Sequence, residues 1–531
     1  MGKWLGVRGK RYRAGQGLYP SPAHVLTPHP SPLTRFLVYW PILALPLILG
    51  SARPFLWSFT ASVFLAAFAF HVLKSARCTD TRLEVRGKRY PVVRGLRSGE
   101  VTPNPLPLTS NPRSSAHPSP LLLLLLPIIA YPFVQTIPLP LPLISVLSPR
   151  RAEWLHRSME ATGVSRWWAS LSYVPIDTFM TGLWVLTLAL FALVLHRSMR
   201  DGIIGPGRLL AVLFVVAGFE ALYGILQVLV PSTDLLSREA AHGTFSNRDH
   251  YEAFLGMIWP LQLVWIMRGK GSGVRGEGAQ VISSYQEEEI QRKTREKRIF
   301  FIFLTGIVLL GLVFSKSRGA IISLAIGMTV LAYLGGKRSR SVVFVLIGCW
   351  AVVLAYGSII GFEGIVKRFA EIEQDAPGRF KIWRFTWRAI CDHWLTGTGA
   401  GTYSPVVFLY QVFDTDLIQV GHAHNDYLEI ASEWGLPFSL LIFFLVWGYW
   451  LLTAGRAARK STGKEGPAET EEKLIRIGAL AGSAAFLCHI WVEFNWQIPA
   501  NQLYFVILLV LMSYGKGSGV RGKGLGVRGK R

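Results

Sequence analysis

The chain has 531 residues, 51% of them hydrophobic and 17% charged, with a formal net charge of +24. Soluble domains carry about 25% charged residues, so the balance argues against an ordinary cytosolic enzyme, and the long apolar runs exclude a disordered or collagenous chain. The four cysteines (Cys78, Cys349, Cys391 and Cys488) show no CxxC pairing, which leaves neither a disulfide scaffold nor a structural zinc site indicated.

A membrane span needs about 20 mostly apolar residues. In chain order, twelve stretches fit: 33–50, 54–73, 120–147, 175–195, 208–230, 250–268, 299–315, 319–335, 341–361, 437–454, 475–494 and 499–514. The third is interrupted by Pro127, Pro132, Pro138, Pro140 and Pro142, a pattern that buried kinks accommodate. The chain opens on a long basic stretch rather than a short n-region, so the first span is expected to serve as the insertion signal. The sequence therefore predicts an all-α polytopic membrane protein.

Lysine and arginine set its orientation. The segments 1–32, 74–119, 196–208, 269–298, 336–340, 455–474 and 515–531 are all basic, and twelve spans put them on one side, the cytoplasmic one. The expected organisation is a basic tail (1–32), nine spans (33–361) with basic cytoplasmic loops at 74–119 and 269–298, one large outer loop (362–436), three spans (437–514) and a basic Gly-rich tail (515–531). Short Gly-Val-Arg-Gly-like units recur at 6–11, 85–89, 269–276, 515–522 and 526–531. They are too short to bury a core and read as tolerated insertions, the functional alternative being contact with anionic headgroups. Much of the charge lies in such tails and loops, and no polar domain remains to hold nucleic acid.

Long loops outside a compact core usually carry function. The outer loop ends in Gly421-His422-Ala423-His424-Asn425-Asp426-Tyr427-Leu428-Glu429. Asp426 and Glu429 read as a capping-box-like start, and Gly435 with Pro437 as a stop, predicting a short helix over 427–434. His422, His424 and Asn425 then sit at its N-terminal end, where free N–H groups suit an anion. An imidazole there can act as a neutral base; the alternatives are histidines bonded to backbone carbonyls, or a metal held by His422, His424 and Asp426, for which no further cluster supplies ligands.

Upstream, Arg379, Trp383 and Trp387 share one helical face and Arg384 and Arg388 another, which fits a helix lying in the headgroup layer or an arginine gripping phosphate bidentately. Gly397-Thr398-Gly399-Ala400-Gly401 is not a dinucleotide motif and is expected to let two backbones approach closely. Arg318, in Ser315-Lys316-Ser317-Arg318-Gly319, lies at the edge of an apolar run, where the alternatives are function and snorkelling. Asp414 and Asp416 resemble a nucleotide-sugar DxD pair but are expected on the wrong side of the membrane. Gly243-Thr244-Phe245-Ser246-Asn247 and Glu493-Phe494-Asn495 are candidate lining of one outer cavity, with Glu220 and His489 as ionisable groups inside spans.

These residues together resemble the bacterial O-antigen ligase and O-antigen polymerase superfamily. The match rests on His424-Asn425, nine residues, then Gly435 and two more to Phe438, supported by Gly243–Asn247, Ser317-Arg318-Gly319-Ala320, Arg379 with Trp383, and the Gly397–Gly401 turn, over about residues 180–514. Phe438 departs from the small or polar residue expected there. The resemblance implies a GT-C-like fold of about twelve helices with a large periplasmic loop, in the bacterial inner membrane. It implies glycan transfer from an undecaprenyl-pyrophosphate carrier to an acceptor hydroxyl on lipid core, glycan or protein, without metal or cofactor. His424 would then be the base and Arg318 and Arg379 the pyrophosphate ligands, with His422, Asn425, Asn247, Arg384 and Glu433 as candidate supporting residues. The rivals are a transporter or flippase, whose matching broken halves are not evident here, and an inactive relative.

Overall fold

The computed structural model describes residues 32–47, 58–70, 120–234, 240–267, 284–335, 347, 372–411, 420–459 and 467–515. The expected span 341–361 (position 347 apart), the pair Asp414 and Asp416, and the basic units at 6–11, 85–89, 269–276 and 526–531 lie outside them. The described part is all-α apart from one antiparallel two-residue pairing of β1 (Leu139–Pro140) with β2 (Trp168–Ala169). The helices are α1 (Pro32–Leu47), α2 (Ser58–Phe70), α3 (Pro120–Thr136), α4 (Leu141–Leu147), α5 (Pro149–Thr162), α6 (Pro175–Arg200), α7 (Pro206–Leu229), α8 (Arg248–Met267), α9 (Ser284–Phe314), α10 (Arg318–Gly335), α11 (Ile372–Asp392), α12 (Tyr403–Gln411), α13 (Asp426–Ala458), α14 (Pro467–His489) and α15 (Pro499–Met512).

Among the described residues, five helices are long and apolar enough to cross a membrane: α6, α7, α9 from Gln291, α10 and α13. Two others, α8 and α14, fall at expected spans yet carry Glu252, Gln262, His250 and His489. Position explains their polarity. Almost every α8 residue from His250 to Val264 is buried, so this helix faces protein rather than lipid, where polar groups can be paired. The expected span 120–147 is corrected: α3 ends at Thr136, because Pro138, Pro140 and Pro142 remove three successive alternate amides, and the chain turns through β1 into α4.

One large core joins α1, α2, α6–α10, α14 and α15. At one end of this bundle lies a cap built from α4, α5, α11, α12 and the start of α13. The expected loop 362–436 is therefore mostly helical where described, and it carries its own small core of Ile382, Tyr403, Val407, Val420 and Ala423. A second anchor is α3, whose Gln135 Nε2 donates to the carbonyls of Thr396 and Glu433 at 2.8 and 2.9 Å and whose Oε1 accepts from Ala400 N.

The Gly397–Gly401 turn does what its composition predicts. Gly397 and Gly435 have φ of +67° and +72°, and a Cβ on Gly397 would overlap the Glu433 carbonyl. Thr398 N and Gly399 N donate to the carbonyls of Ser432 and Glu433 at 3.0 and 3.1 Å. The turn thus satisfies the otherwise orphaned carbonyls at the end of the short first segment of α13. The predicted stop falls at Gly435, where φ 72° and ψ 158° interrupt the helix before it continues to Ala458. Phe438, the departure from the family pattern, stacks on Tyr131 at 3.5 Å between ring centroids.

Candidate functional site: a histidine, arginine and carboxylate cluster

The N-termini of α8 and α13 meet the turn 490–497 that follows α14, and that of α10 lies beside the first turn of α8 and against His489. The first turn of α8 is capped by Asn247, whose Oδ1 accepts from Asp249 N at 3.0 Å. That cap is itself held from below. Thr244 N donates to Glu220 at 2.8 Å, and Gln227 Nε2 donates to the Gly243 carbonyl at 2.8 Å, so segment 240–247 is tucked into the bundle. At α10, Ser317 Oγ accepts from Gly319 N at 3.1 Å and donates to Asp249 Oδ1 at 2.7 Å, joining the two first turns side by side. Arg318 is the first residue of α10 and is half-buried.

At α13 the cap is Asn425, not the expected Asp426: Asn425 Oδ1 accepts from Leu428 N at 3.1 Å. Asp426 instead accepts from Trp496 N at 2.7 Å and locks the helix onto the turn. Glu429 reaches back to Ala423 N at 2.8 Å and to His422 Nδ1 at 2.9 Å. This arrangement fixes the segment 420–425, to which Trp383 Nε1 of α11 adds a hydrogen bond to the Ala423 carbonyl at 3.0 Å.

The centre of the cluster is Glu493. One of its oxygens accepts from the Arg379 guanidinium, which also donates to the Val492 carbonyl at 2.9 Å. The other lies 3.1 Å from His424 Nδ1. Both contacts bring N–H donors to the Glu493 carboxylate. Glu493 is thus a carboxylate that only accepts, and the inferred tautomer of His424 carries its proton on Nδ1. In the neutral ring Nε2 is then the basic atom. His424 holds φ 48°, a conformation uncommon for a residue with a side chain.

Phe494 organises the histidines. His422 stacks on it at 4.3 Å, while His424 and His250 meet it edge-on at 4.9 and 4.6 Å. Burial, the largest influence on His422, lowers its pKa, but the charge and hydrogen bond of Glu429 leave it raised above the ordinary value. Beneath this layer Asn495 bridges His250 at 2.8 Å and His489 at 3.3 Å, and His489 Nδ1 lies 3.0 Å from Glu252.

Of the residues expected from sequence, the structure brings His424, Arg379, His422 and Asn425 into one cluster, with Asn247 and Arg318 on the adjoining first turns of α8 and α10. Two are placed elsewhere. Arg384 is exposed on α11, as are Phe380 and Trp387. The Glu433 carboxylate accepts from Tyr403 N at 2.8 Å and serves the first turn of α12. Sequence reasoning missed His250, Asp249, Glu252 and the organising role of Phe494, and saw Glu493 only as lining. The polar exit from the eleventh expected span was a signal, but its partner lies 69 residues away in the chain.

A helical bundle with spans of membrane length, closed at one end by this cluster, defines the class: an all-α membrane protein. The O-antigen ligase family model matches residues 301–445, which include Arg318, Arg379 and His424. Through this segment the chain is similar to the O-antigen ligase and polymerase superfamily, a family of glycosyltransferases. No curated protein matches the chain.

Proposed function

We propose that this protein transfers a glycan from an undecaprenyl-pyrophosphate carrier to an acceptor hydroxyl at the outer face of the bacterial inner membrane. The observation that carries the reading is the Glu493 carboxylate shared between Arg379 and His424, inside and beside the family-matched segment. In this reading His424 Nε2 takes the proton of the acceptor hydroxyl. The acceptor oxygen forms a bond to the anomeric carbon, and the bond from that carbon to the pyrophosphate oxygen breaks, its electron pair leaving with the pyrophosphate. Glu493 keeps the ring oriented and stabilises the imidazolium that results, as carboxylates do behind catalytic histidines.

Arg318 and the outward donors of Arg379 neutralise the leaving charge. A guanidinium has five N–H donors, so Arg379 can serve Glu493, Val492 and a phosphate oxygen together. The neighbouring N-termini of three helices add partial positive charge to the same end of the bundle. Holding donor and acceptor at one interface supplies an entropic advantage. No metal is needed for charge neutralisation in this scheme. The proposed topology keeps twelve spans, cytoplasmic termini and residues 362–436 outside.

Membranes carrying the full chain, given a lipid-pyrophosphate-linked glycan, should transfer it to a hydroxyl acceptor, and His424→Ala and Arg379→Ala should insert normally and lose that transfer. Undiminished transfer by both variants would remove the assigned roles, and donor-independent flux across the membrane would favour a transporter. Topology has a native probe in exposed Cys391. An impermeant maleimide should label it in intact cells but not in Cys391→Ser, and labelling only after permeabilisation would invert the scheme.

A further inference from the structure

We propose that Arg248 is a second pyrophosphate-binding arginine, paired with Arg318 so that each guanidinium takes one phosphoryl group; this rests on the transferase reading above. The two arginines occupy equivalent places. Each is the first residue of a helix, α8 or α10, and each is half-buried at the polar end of the bundle. Each follows the residue that caps its helix, Asn247 for one and Ser317 for the other. The 2.7 Å bond from Ser317 to Asp249 ties the two first turns together and so fixes the spacing of the two arginines.

The chemistry suits a diphosphate. Two helix N-termini lie side by side, so their partial positive charges add rather than cancel. Guanidinium forks match phosphate oxygens bidentately, and two adjacent phosphoryl groups call for two forks. A separate observation points to a ligand at the same place. His489 is 2% exposed, and its Nε2 finds no hydrogen-bond partner among the described residues. That ring is pressed against Gly319, where any Cβ would overlap it. A buried, orphaned ring nitrogen aimed at the first turn of α10 is unusual in a native structure, and an anion bound on that turn gives it a partner directly or through water. With the diphosphate so held, Arg379 steadies His424 through Glu493 while its outward donors meet the leaving oxygen from the other side.

The test uses the full-length protein in proteoliposomes, with inorganic pyrophosphate as the probe. For Arg248→Ala and Arg248→Gln, the donor KM and the pyrophosphate inhibition constant should rise together by about tenfold, while the acceptor KM stays within about twofold. Arg318→Ala is the positive control. Variants that melt normally and keep wild-type inhibition, while Arg318→Ala loses it, would overturn the assignment of Arg248 and leave the transferase reading standing. Wild-type protein that neither transfers nor responds to pyrophosphate would overturn that reading itself. Should neither variant insert, the wild type still decides. Pyrophosphate should slow phenylglyoxal modification of Arg248 and Arg318 together, and an unprotected Arg248 beside a protected Arg318 contradicts the proposal.

Discussion

Four histidine–carboxylate pairs occur among the described residues, and they divide by access. His489 with Glu252 and His242 with Asp234 are sealed, with side-chain exposures of 2% and 0%, and 3% and 1%. His424 with Glu493 and His422 with Glu429 present an open ring on a closed carboxylate, at 34% over 7% and 37% over 2%. Each brings a ring nitrogen within 3.1 Å of a carboxylate oxygen, and the consequences differ. A sealed ring cannot meet an acceptor arriving from solvent, whereas an open ring backed by a buried carboxylate has one nitrogen fixed and the rest of the ring exposed. Access, rather than residue type, separates the chemistry from the scaffold.

The largest break in that comparison should come from His424→Ala. Removing a general base costs about 10²–10⁴-fold in rate, so turnover should fall by that factor at saturating donor while the thermal transition in detergent stays put. A variant that melted early without losing turnover would move His424 to the sealed class. Glu252→Ala should behave in the opposite sense. Taking one partner from a buried pair leaves the other uncompensated and destabilises by about 3–5 kcal/mol. Thermal unfolding should register this, with turnover near wild type at temperatures where the variant is folded.

Gly397→Ala tests the platform without touching any pair. Its backbone at φ +67° and the overlap with the Glu433 carbonyl predict a loss of about 3 kcal/mol, again read from thermal unfolding. An unchanged transition would mean that the turn does not clamp the first segment of α13. The smallest effect belongs to His422. Its folded pKa is raised, so its contribution is fully present below the unfolded value of about 6.5 and is lost as pH rises through the folded value. The gap in thermal transition between wild type and His422→Gln should therefore be widest on the acid side and close as pH increases. A gap that opened with rising pH would contradict the bond to Glu429.

Local chemistry was legible in the sequence wherever one residue type decides the backbone. Gly435 with Pro437 announced the end of a helix, the Gly397–Gly401 turn announced a close approach, and both hold because positive φ and missing amides act within a few residues. The cap of α13 was read one residue late, since Asn425 and Asp426 are both good caps and only the turn 490–497 decides that Asp426 is needed elsewhere. Spans were legible where lipid demands apolar faces. The proline-rich 120–147 was not, because its hydropathy hides a break that only lost amides reveal. Least legible was the site's organisation. Glu493 and His424 are 69 residues apart, and Glu433 sits in the same short helix as Glu429 yet serves another element.

Single-turnover glycan transfer, measured at saturating donor for His424→Ala and His242→Ala side by side, addresses the matter most directly. The first should react at least about a hundredfold slower than wild type with an unaltered melting profile, and the second should melt earlier while retaining most of its rate when folded. If the slow variant were instead His242→Ala, with His424→Ala turning over normally, the outward imidazole would not be the group that activates the acceptor.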